Sequence, residues 1–376
     1  MKPFIAALCI LLILGILLDA FEVVVLPRRV VRRFRFAKFF YRTTWIPIAA
    51  LSQGISSSRR RESFLSFFGP LSLILLLSIW AGGLILGFAG LHWSIESPLN
   101  VSETRQVFGT YVYLSGTTFF TLGYGDVTPI APVGRGLAIL EAGVGFAFLA
   151  LTIGYLPVIY QAFSRREAGI SLLDARAGSP PSAAELLRRH GQNIQELEVL
   201  LNDWERWAAD ILESHLSYPV LCYYRSQHNN QSWLTALTAI LDASALVIVG
   251  IDGAPKRQAQ LTFAMARHAV VDLAQIFDTA PGELTMDRLS SSELERLRTA
   301  LGKAGIKLAS GVSAERRLAE LRGMYEPFVS TLSNFLLISL PPWIPRKDSF
   351  DNWQTSRWGR IAGLMQPEQA EPDEHF

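Results

Sequence analysis

Cysteine is nearly absent: Cys9 lies in an apolar run and Cys222 in the polar half, and two such residues in 376 build neither a disulfide framework nor a cysteine-rich zinc site. Charge is scarce as well. Only 18% of residues are charged against 50% hydrophobic, and the mean hydropathy of +0.25 is too high for an ordinary soluble chain. Between residues 27 and 61 there is no acid at all, yet ten basic side chains stand there. That basic block lies between apolar segments and not on a polar domain, which argues against nucleic acid as a partner. The net charge of +2 also hides residues 164 to 376, which hold 22 basic and 26 acidic side chains. No nucleophile elbow, triad, metalloprotease motif or Walker loop occurs, so the chain does not read as an enzyme and no cofactor is expected.

What the sequence does have is long apolar runs. Three of them, about Pro3 to Leu26, Phe67 to Leu91 and Gly134 to Phe163, approach the roughly 20 residues a helix needs to cross a bilayer. The first starts with a single Lys2, lacks a small-x-small cleavage site and ends in Asp19, Glu22 and Pro27, so it reads as a retained membrane helix and not a signal peptide. Arg28, Arg29, Arg32, Arg33, Arg35, Lys38, Arg42, Arg59, Arg60 and Arg61 favour the cytoplasm, which predicts an external N-terminus. Helix two then runs outward and helix three inward, with Arg165 and Arg166 repeating the cytoplasmic signal. The expectation is a multi-pass protein of the cell membrane with residues 92 to 133 outside and the C-terminus in the cytoplasm. Within 28 to 42 the basic residues alternate with Val30, Val31, Phe34, Phe36, Phe39 and Phe40, the pattern of a helix lying in the headgroup plane. Arg29, Arg32, Arg35 and Lys38 recur every third residue as in a voltage sensor, but a sensor needs surrounding acidic helices and only one helix precedes this run.

Between helices two and three, the segment Val107 to Pro129 contains Thr121-Leu122-Gly123-Tyr124-Gly125-Asp126. This closely resembles the signature of potassium channels, whose usual form has Val where Leu122 stands and often a second Thr where Phe120 stands. The resemblance covers roughly residues 67 to 163 and implies an outer helix, a re-entrant pore loop and an inner helix. By the same resemblance Thr121, Leu122, Gly123 and Tyr124 would offer backbone carbonyls to K+, with the Thr121 hydroxyl as the innermost ring. Successive carbonyls of a strand point to opposite sides, so aiming them at one axis needs left-handed backbone, which Gly123 and Gly125 adopt without penalty. Tyr124 would point away from the ion and pack behind the strip. Val107 to Phe119 would form the pore helix, with its negative C-terminal dipole end toward the cation. Asp126 would bond back to that helix, where Tyr113 takes the place often held by Trp. One loop cannot surround an ion, so the resemblance implies a homotetramer in the lipid bilayer.

Helix three holds Gly134, Gly136, Gly143, Gly145 and Gly154, with Pro157 near its cytoplasmic end. Gly145 lies close to the family's gating glycine, and Pro157 removes a backbone bond, so both are candidate hinges. Glu141 is an acid within the span, and such residues mark paired or functional positions. If Phe146, Leu149 and Ile153 line the cavity as the resemblance suggests, Glu141 turns about 140° away from them. It is then expected to face the pore helix at Ser115, Thr117 or Thr118 as filter support, the alternative being an ion-concentrating role.

From Ser164 onward the composition is mixed. Ser182-x-x-Glu185 reads as a capping box, and three-and-four apolar spacing continues through Ile194 to Leu216, Trp233 to Val249, Leu261 to Phe277, Ser291 to Leu301 and Ser313 to Leu340. Trp233 to Ile251 approaches membrane hydropathy, but Thr235, Thr238, Asp242 and Ser244 interrupt it and favour a buried soluble helix. Val247 to Ala254 resembles the strand and turn of nucleotide-binding domains but lacks the phosphate loop. His215, Cys222 and His228 fall short of a metal site. Trp204, Trp207, Trp343, Trp353 and Trp358 read as core or interface residues. The predicted fold is an all-α membrane protein of three transmembrane helices with a re-entrant pore loop, plus an all-helical cytoplasmic domain. Its segments are 1–27, a basic stretch 28–66, a pore domain 67–163, a helical domain 164–365 and a disordered tail 366–376. The predicted function is a potassium-selective channel whose gating the cytoplasmic domain influences through no recognisable ligand module. The alternative is a membrane-anchored signalling or scaffold protein with a silent pore.

Overall fold

A computed structural model describes residues 2–26, 35–101, 107–228, 230–277 and 287–345. Arg28, Arg29, Arg32, Arg33, Trp353, Trp358 and the tail 366–376 lie outside the described residues. The chain divides into two compact units, Met1–Ala162 and Phe163–Phe376.

In the first unit, α1 (Lys2–Ala20) is apolar on every side and continues through a π turn, Phe21–Val25. It packs against α4 (Phe68–Ser94), which follows α2 (Phe36–Gln53) and α3 (Ser58–Ser66). Glycines on α4 set this contact. Ile16 sits over Gly83, Ile13 over Gly87 and Cys9 over Gly90, and at Gly87 a Cβ would come within 2.7 Å of Ile13. Small residues at such spacing let two helix backbones approach in a membrane. At one end of the pair Trp80 Nε1 donates to Asp19 at 3.2 Å, and at the other Lys2 pairs with Glu96, so the helices run antiparallel. The start of α1 therefore lies beside the end of α4. Of the aromatic run expected to alternate with basic residues, Phe36 begins α2, Phe40 is buried and Phe39 is exposed. Trp45 of the same helix packs on Phe68 at 4.9 Å.

After α4 the chain forms a two-residue strand β1 (Leu99–Asn100), the short helix α5 (Phe108–Phe119) and β2 (Thr128–Pro129). Leu99 pairs with Pro129 and Asn100 with Thr128, closing the base of the loop between α4 and α6. Helix α6 (Pro132–Ala177) begins on a proline, whose missing N–H is no loss at a first helical position. It runs unbroken past the end at Phe163 that hydropathy predicts, because its last turns belong to the second unit.

Among its described residues, the regular structure of that second unit is helical apart from an isolated bridge between Ile251 and Leu308. It comprises the end of α6, α7 (Ala183–Arg189), α8 (Leu197–Ser217), α9 (Trp233–Gly250), α10 (Lys256–Ile276), α11 (Ser291–Lys303), α12 (Val312–Gly323) and α13 (Glu326–Leu336). Serines begin three of them: Ser182 accepts from Glu185 N, Ser232 from Thr235 N, and Ser290 forms a full capping box with Glu293. The apolar run Ser313 to Leu340, read as one helix, is two. Gly323 weakens the last turn of α12, and Pro327 takes a first-turn position in α13.

Among the described residues, four helical spans are long and apolar enough to cross a membrane: Lys2–Val25, Ser58–Ser94, Pro132–Ala177 and Trp233–Gly250. Burial separates them. The most apolar windows of the first three are 22%, 44% and 11% buried, whereas that of α9 is 89% buried among α7, α8, α10, α12 and α13. The first three present apolar surface that a bilayer would cover, and α9 is the centre of a protein core.

Candidate functional site

The resemblance to potassium channels rests on residues 121–126, and these follow directly from the end of α5. Phe120 N donates to Gly116 O at 3.1 Å, Thr121 N to Thr118 O at 3.0 Å and Leu122 N to Thr117 O at 2.8 Å. The last turn of the short helix thus takes up the amides of the strip that leaves it. Thr121, Gly123 and Gly125 have φ of +56°, +57° and +78°, while Leu122 and Tyr124 between them stay on the ordinary side. Alternation of positive and negative φ turns successive carbonyls toward one side, which a regular strand cannot do. Glycine makes this free at two positions. Thr121 is β-branched and adopts the left-handed region at a cost of roughly 1–2 kcal/mol. Among the described residues, none of the backbone bonds outside helices and strands ends on a carbonyl from Thr121 to Gly125.

Around the strip, the Tyr113 hydroxyl donates to Asp126 Oδ2 at 2.8 Å, and Val127 N donates to Asp126 Oδ1 at 3.1 Å. Tyr111 donates to Ser97 O at 3.1 Å, holding α5 to the end of α4. The Ser115 hydroxyl donates to Ile85 O at 2.8 Å and contacts Glu141 Oε1, so one residue of α5 meets both flanking helices. Of the other two residues expected near Glu141, Thr117 bonds within its own helix, to Tyr113 O at 3.0 Å and Leu114 O at 2.9 Å. Glu141 is fully buried.

One turn further along α6, Gly145 lies against the backbone of Phe119, and any Cβ there would overlap the Phe119 carbonyl. The glycine has a packing reason in the structure, and α6 continues helically through both Gly145 and Pro157. On the single chain Phe146 is 69%, Ile153 71% and Tyr124 68% exposed. The chain's own residues therefore cover little of the Tyr124 ring expected behind the strip.

Sequence reasoning missed the stripe Gly83, Gly87 and Gly90, although Gly83-x-x-x-Gly87 is a readable signal. It also read Arg166 only as a mark of the cytoplasmic side. Arg166 is buried in the second unit, where its guanidinium donates to Leu221 O at 2.8 Å, Tyr224 O at 2.9 Å and Glu167 at 3.0 Å. His215 lies 3.3 Å from it, and burial together with this cation holds the imidazole pKa well below its usual value. Burial pushes the neighbouring Cys222 thiol up to about 12, so it is not a reactive thiolate.

A family model described as "Ion channel" matches residues 74–161, the stretch from within α4 through the loop and well into α6. The match supports a channel and not an enzyme, and a membrane location. The chain is 23% identical over 261 residues to the uncharacterized membrane protein YdjJ of Bacillus subtilis (strain 168), covering 67% of this chain and 75% of that one. It is 37% identical over 84 residues to Protein LctB of Geobacillus stearothermophilus and 38% over 84 residues to Protein LctB of Bacillus caldotenax. Those two alignments cover 20% of this chain and 62% of each relative. No solved structure matches.

Proposed function

We propose that the chain is one subunit of a potassium-selective channel in which four copies bring Thr121, Leu122, Gly123 and Tyr124 around one axis. The observation that carries this reading is the alternation of positive φ at Thr121, Gly123 and Gly125, which presents consecutive carbonyls as a ladder of oxygen sites able to replace the water of a potassium ion. Asp126, Tyr113 and Glu141 brace the strip, and Gly145 and Pro157 are the positions of α6 where bending would alter the inner cavity. In the bilayer, α1, α4 and the first part of α6 cross, the N-terminus and pore loop face outward, and the basic stretch 28–61 and the second unit face the cytoplasm. The second unit modulates opening through α6, which contributes to both units.

Reversal potentials of the purified chain in liposomes under opposed potassium and sodium gradients test selectivity, and native mass measurement tests the number of copies. A potential displaced strongly toward potassium and a tetrameric mass are expected. A potential near zero would remove selectivity, and a tetramer without current would favour the anchored signalling or scaffold reading.

A further inference from the structure

Glu141 presents a problem of proton counting. Its carboxyl is fully buried, Oε1 contacts Ser115 Oγ, and Oε2 has no hydrogen-bond partner. Among the described residues no cation pairs with it. The elements around it supply none: α4 carries His92 as its single titratable side chain, and α5 carries Tyr111 and Tyr113, which donate to Ser97 O and Asp126. On α1, Lys2 pairs with Glu96, Asp19 accepts from Trp80, and Cys9 lies over Gly90. Arg135, six residues before Glu141 on α6, donates to Pro129 O at 3.2 Å. Otherwise α4, α5 and α6 meet in an apolar cluster, Leu84, Phe88 and Phe119 with Leu137, Val144 and Phe148 packed against them.

The Ser115 hydroxyl has one proton, and Ile85 O, a backbone carbonyl 2.8 Å away, can only accept it. An ionised Glu141 could only accept as well, so two acceptors would compete for one hydrogen and a carboxylate would remain in an apolar shell without a counter-ion. Leaving a charge in that state costs far more than the hydrogen bond returns. A neutral acid resolves both problems, with Glu141 O–H donating to Ser115 Oγ and Ser115 donating in turn to Ile85 O.

We propose that Glu141 is held as a neutral carboxylic acid whose proton completes a chain from α6 through Ser115 of α5 to Ile85 of α4, so that its ionisation releases the pore helix and closes the conduction path. Glu141 is here a positioning residue. It acts on the strip through α5, whose last turn carries the amide acceptors Thr117 O and Thr118 O. The effect on conduction rests on the potassium-channel reading; the protonation state does not.

The test uses the full chain in lipid bilayers and two readouts. Infrared difference spectra between the native chain and Glu141→Gln near neutral pH should contain the carbonyl stretch of a neutral carboxylic acid, lost in the variant. Potassium flux of the native chain should fall reversibly at alkaline pH. Glu141→Gln, whose amide can donate the same bond, should keep its flux and lose that alkaline fall, whereas Glu141→Ala should lose flux. Absence of the neutral-acid band, or equal loss of flux in Glu141→Gln and Glu141→Ala, overturns the proposal. The band present with no flux in any chain upholds the neutral acid and removes the conduction reading instead.

Discussion

Of the acids in the helices apolar enough to cross a membrane, Glu141 in α6 and Asp242 in α9 are the two with no exposed surface. Their surroundings differ in kind. Asp242 accepts from Arg288 at 2.6 and 3.3 Å and from the Tyr325 hydroxyl at 2.5 Å. Arg288 reaches on to Glu326 at 3.2 Å, and Arg322 bonds Glu326 at 3.1 Å and Asp287 at 2.5 Å. Burial alone would pull the Arg288 pKa down, but Asp242 leads the groups that carry it above the ordinary arginine value. Glu141 meets a serine hydroxyl and no cation. A core built from amphipathic helices can bring an arginine to a buried acid from another helix, while the apolar helices packed beside Glu141 bring it only a hydroxyl. The same burial therefore goes with an ion-pair network in one unit and with a single hydrogen-bonded chain in the other.

The largest effect should come from breaking the network. Arg288→Met leaves Asp242 and Glu326 buried with a partner lost and should destabilise the second unit by about 3–5 kcal/mol, read from denaturant unfolding of the full chain in detergent. A cost as small as that of Glu141→Gln would erase the contrast between the two acids. Next comes the contact beside Glu141: Gly145→Val forces a side chain into the Phe119 backbone, an overpacking cost of about 1–3 kcal/mol. Potassium flux should fall with it, whereas Gly143→Ala, where a Cβ meets nothing within 4 Å, should preserve flux.

Protonation gives a third test in the second unit. His215 is kept neutral by burial and by Arg166, so its native pKa lies below the unfolded value of about 6.5. Its contribution to stability is present above that unfolded value and declines as pH falls below it, by at most about 1.4 kcal/mol per pH unit. His215→Asn should flatten the pH dependence of the melting temperature between neutral pH and pH 5. An unchanged slope would mean that His215 does not carry it. The smallest effect is expected at the start of the helix that holds Asp242: Ser232→Ala removes the cap accepted by Thr235 N and should cost about 1 kcal/mol in the same unfolding measurement.

The strip from Thr121 to Asp126 was the most legible part of the chain, because two glycines, a preceding helical segment and flanking apolar runs are local features. Residues 113 and 126 come together at 2.8 Å as the loop closes, a contact that the resemblance to potassium channels implied. The helix start at Ser182 was readable as a local feature, since a cap lies within three residues of what it caps. The break between α12 and α13 was not, because apolar spacing runs through Gly323 and Pro327 without interruption. Arg166 was invisible as a buried group: nothing in two adjacent arginines says that one is exposed and the other satisfied by carbonyls 55 and 58 residues away.

What the sequence alone determined is therefore local: the conformation that Gly123 and Gly125 permit, the caps, and the apolar length of each span. Tertiary structure decided what covers those spans and what answers the acids inside them. The hydrophobic effect is non-directional, so α6 and α9 carry the same demand for burial and neither names what satisfies it. Helices α7, α8, α10, α12 and α13 cover α9, while α6 keeps an apolar surface suited to lipid or to further copies. A buried polar group needs a specific partner at hydrogen-bond distance, and Asp242 finds Arg288 46 residues away while Glu141 finds Ser115 26 residues before it. Such partners are set by the packing of whole helices, which no local pattern of residues contains.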